Sequence, residues 1–309
     1  MKRNVFALLL FFISCLSVFA QNFTAENSLI SNCSDKQKES FYAKNPPPVL
    51  AIYQKSGKIL VLLAASHGPQ SIPLVHYAFD IYVPQIALIE REIGQPFGPC
   101  TEMEDAYTAA LSAKNNIPLV RADANLEQQW KYAEKKGFSY EDFQMLWIIR
   151  SAYGFAKYEK HQTNATQEIK DYKRTIHNPA WGKLFTEDRL LEYFQEHYNR
   201  DFNSTDFITF YQELMKRHPE KWVKKTPFYQ IHTAERRFRS EFMFENIVAA
   251  LNENPVVFSE MGAGHFVEIS KALKKMLGKP TYISADTIPA QILWTNCSLE
   301  GLQEKILVP

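Results

Sequence analysis

"NPVVFSEMGAGHFVEISKALKKML", residues 254–277, reads as an apolar strand, a run of small residues ending in one histidine, and an amphipathic helix. A strand that passes directly into a helix is the joint from which α/β proteins are built, and in open α/β sheets ligands bind at the carboxyl ends of the strands. His265 sits at such an end. Taken alone, its ring satisfies a strand-end carbonyl or caps a helix as readily as it does chemistry. Its meaning depends on which other polar side chains the chain delivers to the same edge.

A second joint matches the first. "ILVLLAASH", residues 59–67, also runs from an apolar strand through small residues into a histidine at a helix start, so His67 and His265 could face one crevice. Working outward, Val49–Tyr53 and Lys58–Ala64 flank Gln54-Lys55-Ser56-Gly57, a pattern that predicts a β-hairpin feeding a buried strand. A helix through Asp80 follows, then "QIALIE" (85–90), a strand ending in Glu90, a helix over Met103–Ala113, and the strand "IPLVRAD" (117–123). This alternation gives the fold class: α/β, with a central mixed, largely parallel sheet flanked by helices.

From about 126 to 228 the chain turns aromatic and charged. "EDFQMLWIIRSAYGFAKYEK" and "EDRLLEYFQEHY" carry apolar residues at three- and four-residue spacing, which predicts a helical insertion lidding the site. A long helix over Glu235–Leu251 and a strand over Val256–Ser259 follow, and "PTYISA" and "AQILW" supply final strands. Residues 49–309 thus read as a single α/β domain, after a polar lead-in over 21–48 that ends in Pro46-Pro47-Pro48.

The N-terminus has the form of a secretory signal peptide. Lys2 and Arg3 precede an apolar run from Val5 to Phe19, with Val18 and Ala20 placed for cleavage after Ala20, so a secreted or periplasmic location is expected, with no span in the mature chain. A lipoprotein acylated at Cys15 is the competing reading, with Phe12 ill suited to it. Beyond the signal, Cys33, Cys100 and Cys297 allow at most one intrachain bridge and, without a Cys-x-x-Cys pair, no structural zinc site. Asn22, Asn32, Asn164, Asn203 and Asn296 open glycosylation sequons. The 35 basic and 34 acidic residues leave a net charge of +1, which supplies no field for nucleic acid.

Glycine or alanine ahead of each histidine lets backbone approach a bound group, and the helix start after it favours developing negative charge. Ser66, Gly262 and Gly264 are therefore expected to bind substrate. Glu90 is a candidate base, metal ligand or orienting partner for a histidine, with Glu260 competing for the role. Within "HTAERRFRSEFMFENIVAAL" (232–251), Arg239 could clamp an anion or neutralise an oxyanion, and His232 is a further substrate-binding candidate. His232 and His76 carry no motif of their own and read more simply as structural. No Gly-x-Ser-x-Gly, Walker, His-Glu-x-x-His or dinucleotide motif is present.

"AASHGPQS" (64–71), "ALIE" (87–90), "RSEFMFENI" (239–247) and "GAGHF" (262–266) together resemble the superfamily of erythromycin esterases, ChaN haem-binding lipoproteins, TraB/PrgY proteins and Tiki peptidases. The resemblance implies a site of His67, Glu90, Arg239 and His265. The first loop departs from the family: Ala64 and Ala65 stand where Gly-Glu or Gly-Thr is frequent, so one candidate acid is missing from it.

The expected activity is hydrolysis of an ester or amide bond in a small-molecule or peptide substrate. In it a histidine takes a proton from water, Glu90 orients or shares that proton, and Arg239 stabilises the oxyanion. A metal-assisted variant would use His67, Glu90 and His265 as ligands of a divalent ion. The alternatives are haem binding by a histidine, and a non-catalytic relative that binds a protein partner through the helical insertion.

Overall fold

A computed structural model describes residues 23–30, 35–90, 100, 102–159, 163–216 and 219–288. The signal peptide, Cys15, Cys33, Cys297 and the strand expected at "AQILW" lie outside these residues. The chain divides into two compact units, one of residues 1–123 with 240–309 and one of residues 124–239.

The first unit is built on a six-stranded sheet of β1 (Val49–Lys55), β2 (Lys58–Ala65), β3 (Ile86–Ile89), β4 (Leu119–Arg121), β5 (Val256–Gly262) and β6 (Thr281–Ser284), in the order β4-β3-β5-β2-β1-β6. The hairpin forms as expected. Ser56 and Gly57 both take positive φ (52° and 75°), the backbone of a tight two-residue turn that matches strand twist, and Lys55 pairs Lys58 across it. β1 pairs β2 and β6 antiparallel, while β2–β5, β3–β5 and β3–β4 are parallel.

Between the strands run α2 (Ile72–Tyr82) and α3 (Glu104–Lys114), after the short lead-in helix α1 (Asp35–Tyr42), and α10 (Ala263–Leu277) follows β5. Successive side chains of β2 enter opposite cores, since strand side chains alternate. Leu60, Leu62 and Ala64 join Met243, Phe244, Phe266 and Leu273, whereas Val61, Leu63 and Ala65 join Leu74, Val75 and Tyr107. Burial on both faces is why this strand is a continuous apolar run.

The second unit is helical: α4 (Leu126–Lys135), α5 (Tyr140–Gly154), α6 (Ala165–Thr175), α7 (Glu187–Tyr198), α8 (Phe207–Leu214) and the start of α9 (Pro227–Glu253). Asn125 with Gln128, and Ser139 with Asp142, form capping boxes, and Asn164, Thr186 and Asp206 cap the next three helices. Its core is aromatic, with Phe194 touching Tyr198, Phe202, Phe207 and Phe210. The unit extends past the expected boundary near 228. α9 begins at Pro227, a residue suited to the first helical position, and its first turns carry Phe228 and Ile231 into that aromatic core. Among the described residues no helix is long and apolar enough to cross a membrane.

Candidate active site

Three neighbouring parallel strands end together. β5 lies between β3 and β2, with Gly262 paired to Ala65, so the residues just beyond the strand ends, Glu90 after β3 and His67 after β2, fall on either side of Gly262. This is a point where the chain leaves neighbouring strands in different directions, the place where α/β sheets open a crevice.

The geometry around Gly262 is tight. A β-carbon there would lie 2.7 Å from Nε2 of His67 and 3.4 Å from Oε2 of Glu90, so only glycine admits both groups. The Gly262 N–H donates to Oε2 of Glu90, and the other oxygen of Glu90 lies 3.6 Å from Nε2 of His265. His67, Glu90 and His265, expected as one site, therefore converge in the first unit.

His67 itself has left-handed backbone (φ 53°), a conformation costing roughly 1–2 kcal/mol for a residue with a β-carbon. Such backbone persists where its surroundings hold it. The holding group is Glu104, at the first turn of α3, which was not among the expected site residues. Its Oε1 is 2.9 Å from His67 Nδ1 and its Oε2 accepts the Gly68 N–H at 2.8 Å. The loop that carries His67 thus receives a carboxylate from another element.

With Nδ1–H donated to a carboxylate, the basic nitrogen of His67 is Nε2, the one against Gly262. The hydrogen bond to Glu104 raises the imidazole pKa above its ordinary value; partial burial works the other way, and the charges of Glu90, Glu104 and Asp105 add to the rise.

One turn along α3, Thr108 donates to Oε2 of Glu260 at 2.6 Å. Glu260 sits on β5 two residues before Gly262 and is only 2% exposed. Burial pushes its carboxyl well above the usual range, Thr108 opposes the shift, and Glu104, Asp105 and Glu90 add to it. Glu260 is thus a buried carboxyl whose protonated form is favoured, two residues from Gly262.

On the far side, His265 Nδ1 is 2.8 Å from the hydroxyl of Ser240, which is fully buried and donates to Glu268. Ser66 accepts a hydrogen bond from the Gln70 side chain at 2.8 Å, beside Ser71, and Gly264 lies in the first turn of α10.

His232 and Arg239 belong to the helical unit. Arg150 is 2.7 Å from Nδ1 of His232 and 2.6 Å from Oε2 of Glu235, and Arg239 is 3.8 Å from Glu235. Burial, then the Arg150 charge, pull the His232 pKa down to about 3, so its ring is neutral and accepts from the guanidinium. Burial works to raise the Glu235 carboxyl, but Arg150 and Arg239 outweigh it and hold it at about 2. His76 bridges Tyr107 and Asp80 on the surface of α2. Cys100 is disulfide-bonded, with its partner outside the described residues.

Among the described residues, no three His, Cys, Asp or Glu side chains are grouped so as to hold a metal ion. The expected ligand set of His67, Glu90 and His265 does not form such a group.

Fold and site together define an α/β protein with two strand-end histidines set about one carboxylate. Comparison with family models, with curated proteins and with solved structures yields no match to this chain.

Proposed function

We propose that this protein is a hydrolase of ester or amide bonds whose acid–base pair is His67 and His265. The observation that carries the reading is the orientation of the two rings. Each has Nδ1 engaged, by Glu104 and by Ser240, and each turns Nε2 toward the space around Gly262 and Glu90. A base and an acid acting on one bond need this arrangement.

His67 Nε2 takes a proton from water, and the Glu104 carboxylate stabilises the imidazolium that forms. The resulting hydroxide adds to the substrate carbonyl. His265 acts from its imidazolium form, in which Nε2 donates its proton to the departing alcohol or amine. The His67–Glu104 pair gives the first histidine a carboxylate partner that its own loop lacks, which supports hydrolysis. Resemblance to the erythromycin esterase and Tiki superfamily points the same way. Export belongs to this reading too: the N-terminal signal sequence suggests it, and the Cys100 disulfide is of a kind that persists in oxidising compartments.

The test is turnover of p-nitrophenyl acetate and alanine p-nitroanilide by the full chain. His67→Ala and His265→Ala should each lower kcat by roughly 100- to 10,000-fold, the range of general acid–base catalysis, with the fold retained by circular dichroism. Two fully active variants would end the proposal. Titration with haemin, read as a Soret shift, tests haem binding separately.

A further inference from the structure

The one hydroxyl hydrogen of Ser240 lies between a carboxylate and an imidazole nitrogen. Its oxygen is 2.8 Å from His265 Nδ1 and 2.5 Å from Oε2 of Glu268. Glu268, three residues after His265 on α10, is 3% exposed, and its other oxygen lies 4.0 Å from the ammonium of Lys38 on α1. The Ser240 hydroxyl donates to Oε2 of Glu268, so a lone pair of its oxygen faces the imidazole. The proton between Ser240 and His265 must then belong to Nδ1.

We infer that Lys38, Glu268 and Ser240 form a positioning relay that fixes His265 as its Nδ1–H tautomer, leaving Nε2, beside Glu90, as the nitrogen that exchanges protons. Four residues from three helices take part: α1 supplies the cation, α10 the carboxylate and the histidine, α9 the hydroxyl. The lead-in helix is held in place for this. Phe41 packs against Phe266, the residue after His265, at 5.2 Å between ring centroids, and against Tyr282 of β6 at 5.8 Å.

The relay also gives Ser240 a role other than nucleophile, since its proton is committed to Glu268 and it is fully buried. The two histidines reach one state by different means: His67 by a direct carboxylate, His265 by a hydroxyl that a carboxylate has already polarised. Which nitrogen of a histidine is protonated is commonly set by the hydrogen bond that the other makes.

The inference rests on the hydrolase reading for its effect on turnover, but not for its effect on the ring. The full chain labelled with 15N-histidine is studied by two-bond 1H–15N correlation at alkaline pH, where both rings are neutral. In the parent, His265 Nδ1 should resonate in the protonated range and Nε2 in the unprotonated range.

Ser240→Ala should draw the two His265 shifts toward one another while those of His67 stay fixed, with kcat for p-nitrophenyl acetate down roughly 10- to 100-fold. Ser240→Thr, which keeps the hydroxyl, should restore both readouts. Lys38→Met should move the His265 shifts in the same direction by less, and serves alone if Ser240→Ala does not fold. A parent ring protonated on Nε2, or His265 shifts untouched by Lys38→Met and Ser240→Ala alike, would overturn the relay. Shifts that move as expected in a protein without esterase or amidase turnover would uphold the relay and sink the hydrolase reading.

Discussion

The carboxylate of Glu104 joins the His67 ring to the α3 helix and, through the Gly68 N–H, to the backbone beside that ring. One side chain thus sets the tautomer of the histidine and the loop conformation that presents it. Glu104→Gln keeps the shape and removes the charge. The His67 pKa should fall toward its ordinary value, seen by NMR titration, and kcat should fall at least tenfold. The sign of the stability effect follows from the raised pKa: the pair's contribution is complete below the unfolded histidine value and disappears as pH rises through the folded one. Parent and variant should therefore differ in Tm most near pH 5 and least near pH 9; a difference that grows with pH would refute the pairing.

Gly262→Ala asks whether the strand junction is there for closeness. The added methyl would meet Nε2 of His67 at 2.7 Å, shorter than van der Waals contact allows. The imidazole must shift from its place against residue 262, so kcat should drop sharply while KM changes little. Ala263→Gly, one residue on, is the control.

Glu260 supplies a test of opposite sense. With its carboxyl pushed up by burial, it is a stability cost once the pH exceeds the ordinary carboxylate range, because the unfolded chain then releases its proton more readily than the folded one. Glu260→Gln retains an acceptor for Thr108 without that penalty. The variant should equal the parent in urea midpoint near pH 4 and exceed it near pH 8, with catalysis largely intact. A Gln variant without activity would make Glu260 a working base.

In the helical unit, Arg150 is the counter-charge for Glu235, which is 2% exposed, and its guanidinium also lies over the Trp147 ring at 4.9 Å. Arg150→Met removes the nearer cation and leaves the buried Glu235 with Arg239 at 3.8 Å, and should cost up to about 3–5 kcal/mol at pH 7 by denaturant unfolding. Arg150→Met with Glu235→Gln should recover much of this loss. The lowered pKa of Glu235 means that the pair's contribution is present above the normal carboxylate range and fades as pH falls toward about 2.

Much of the sheet was legible because its signal is local. β2 and β5 are apolar runs that small residues terminate, and β3 ends at a lone carboxylate. Both histidines and Glu90 were found for that reason. Glu104 was not, because an acidic residue opening a helix is what any helix dipole favours, and nothing in "MEDAYTAAL" marks that carboxylate as the partner of a histidine 37 residues earlier. Ser240 and Glu268 were hidden likewise: each is ordinary in its own helix, and their meaning arises only where α9 crosses α10. The start of α9 was placed late since Pro227 reads as a breaker unless it is seen as a first helical residue.

The strand order carries a consequence for how the molecule comes into being. β2 and β3 are made early, yet they are not partners, and β5, synthesised some 170 residues after β3, is the wedge between them. Until it arrives, two hydrogen-bonding edges of the sheet are open, an aggregation hazard that slow, non-local pairing prolongs. The crevice therefore waits for a late strand, with only the edge strand β6 to follow, whereas the helical core is contiguous between Trp130 and Ile231. A chain halted before Val256 should carry an incomplete sheet in which Gly262 and His265 have not yet joined His67 and Glu90.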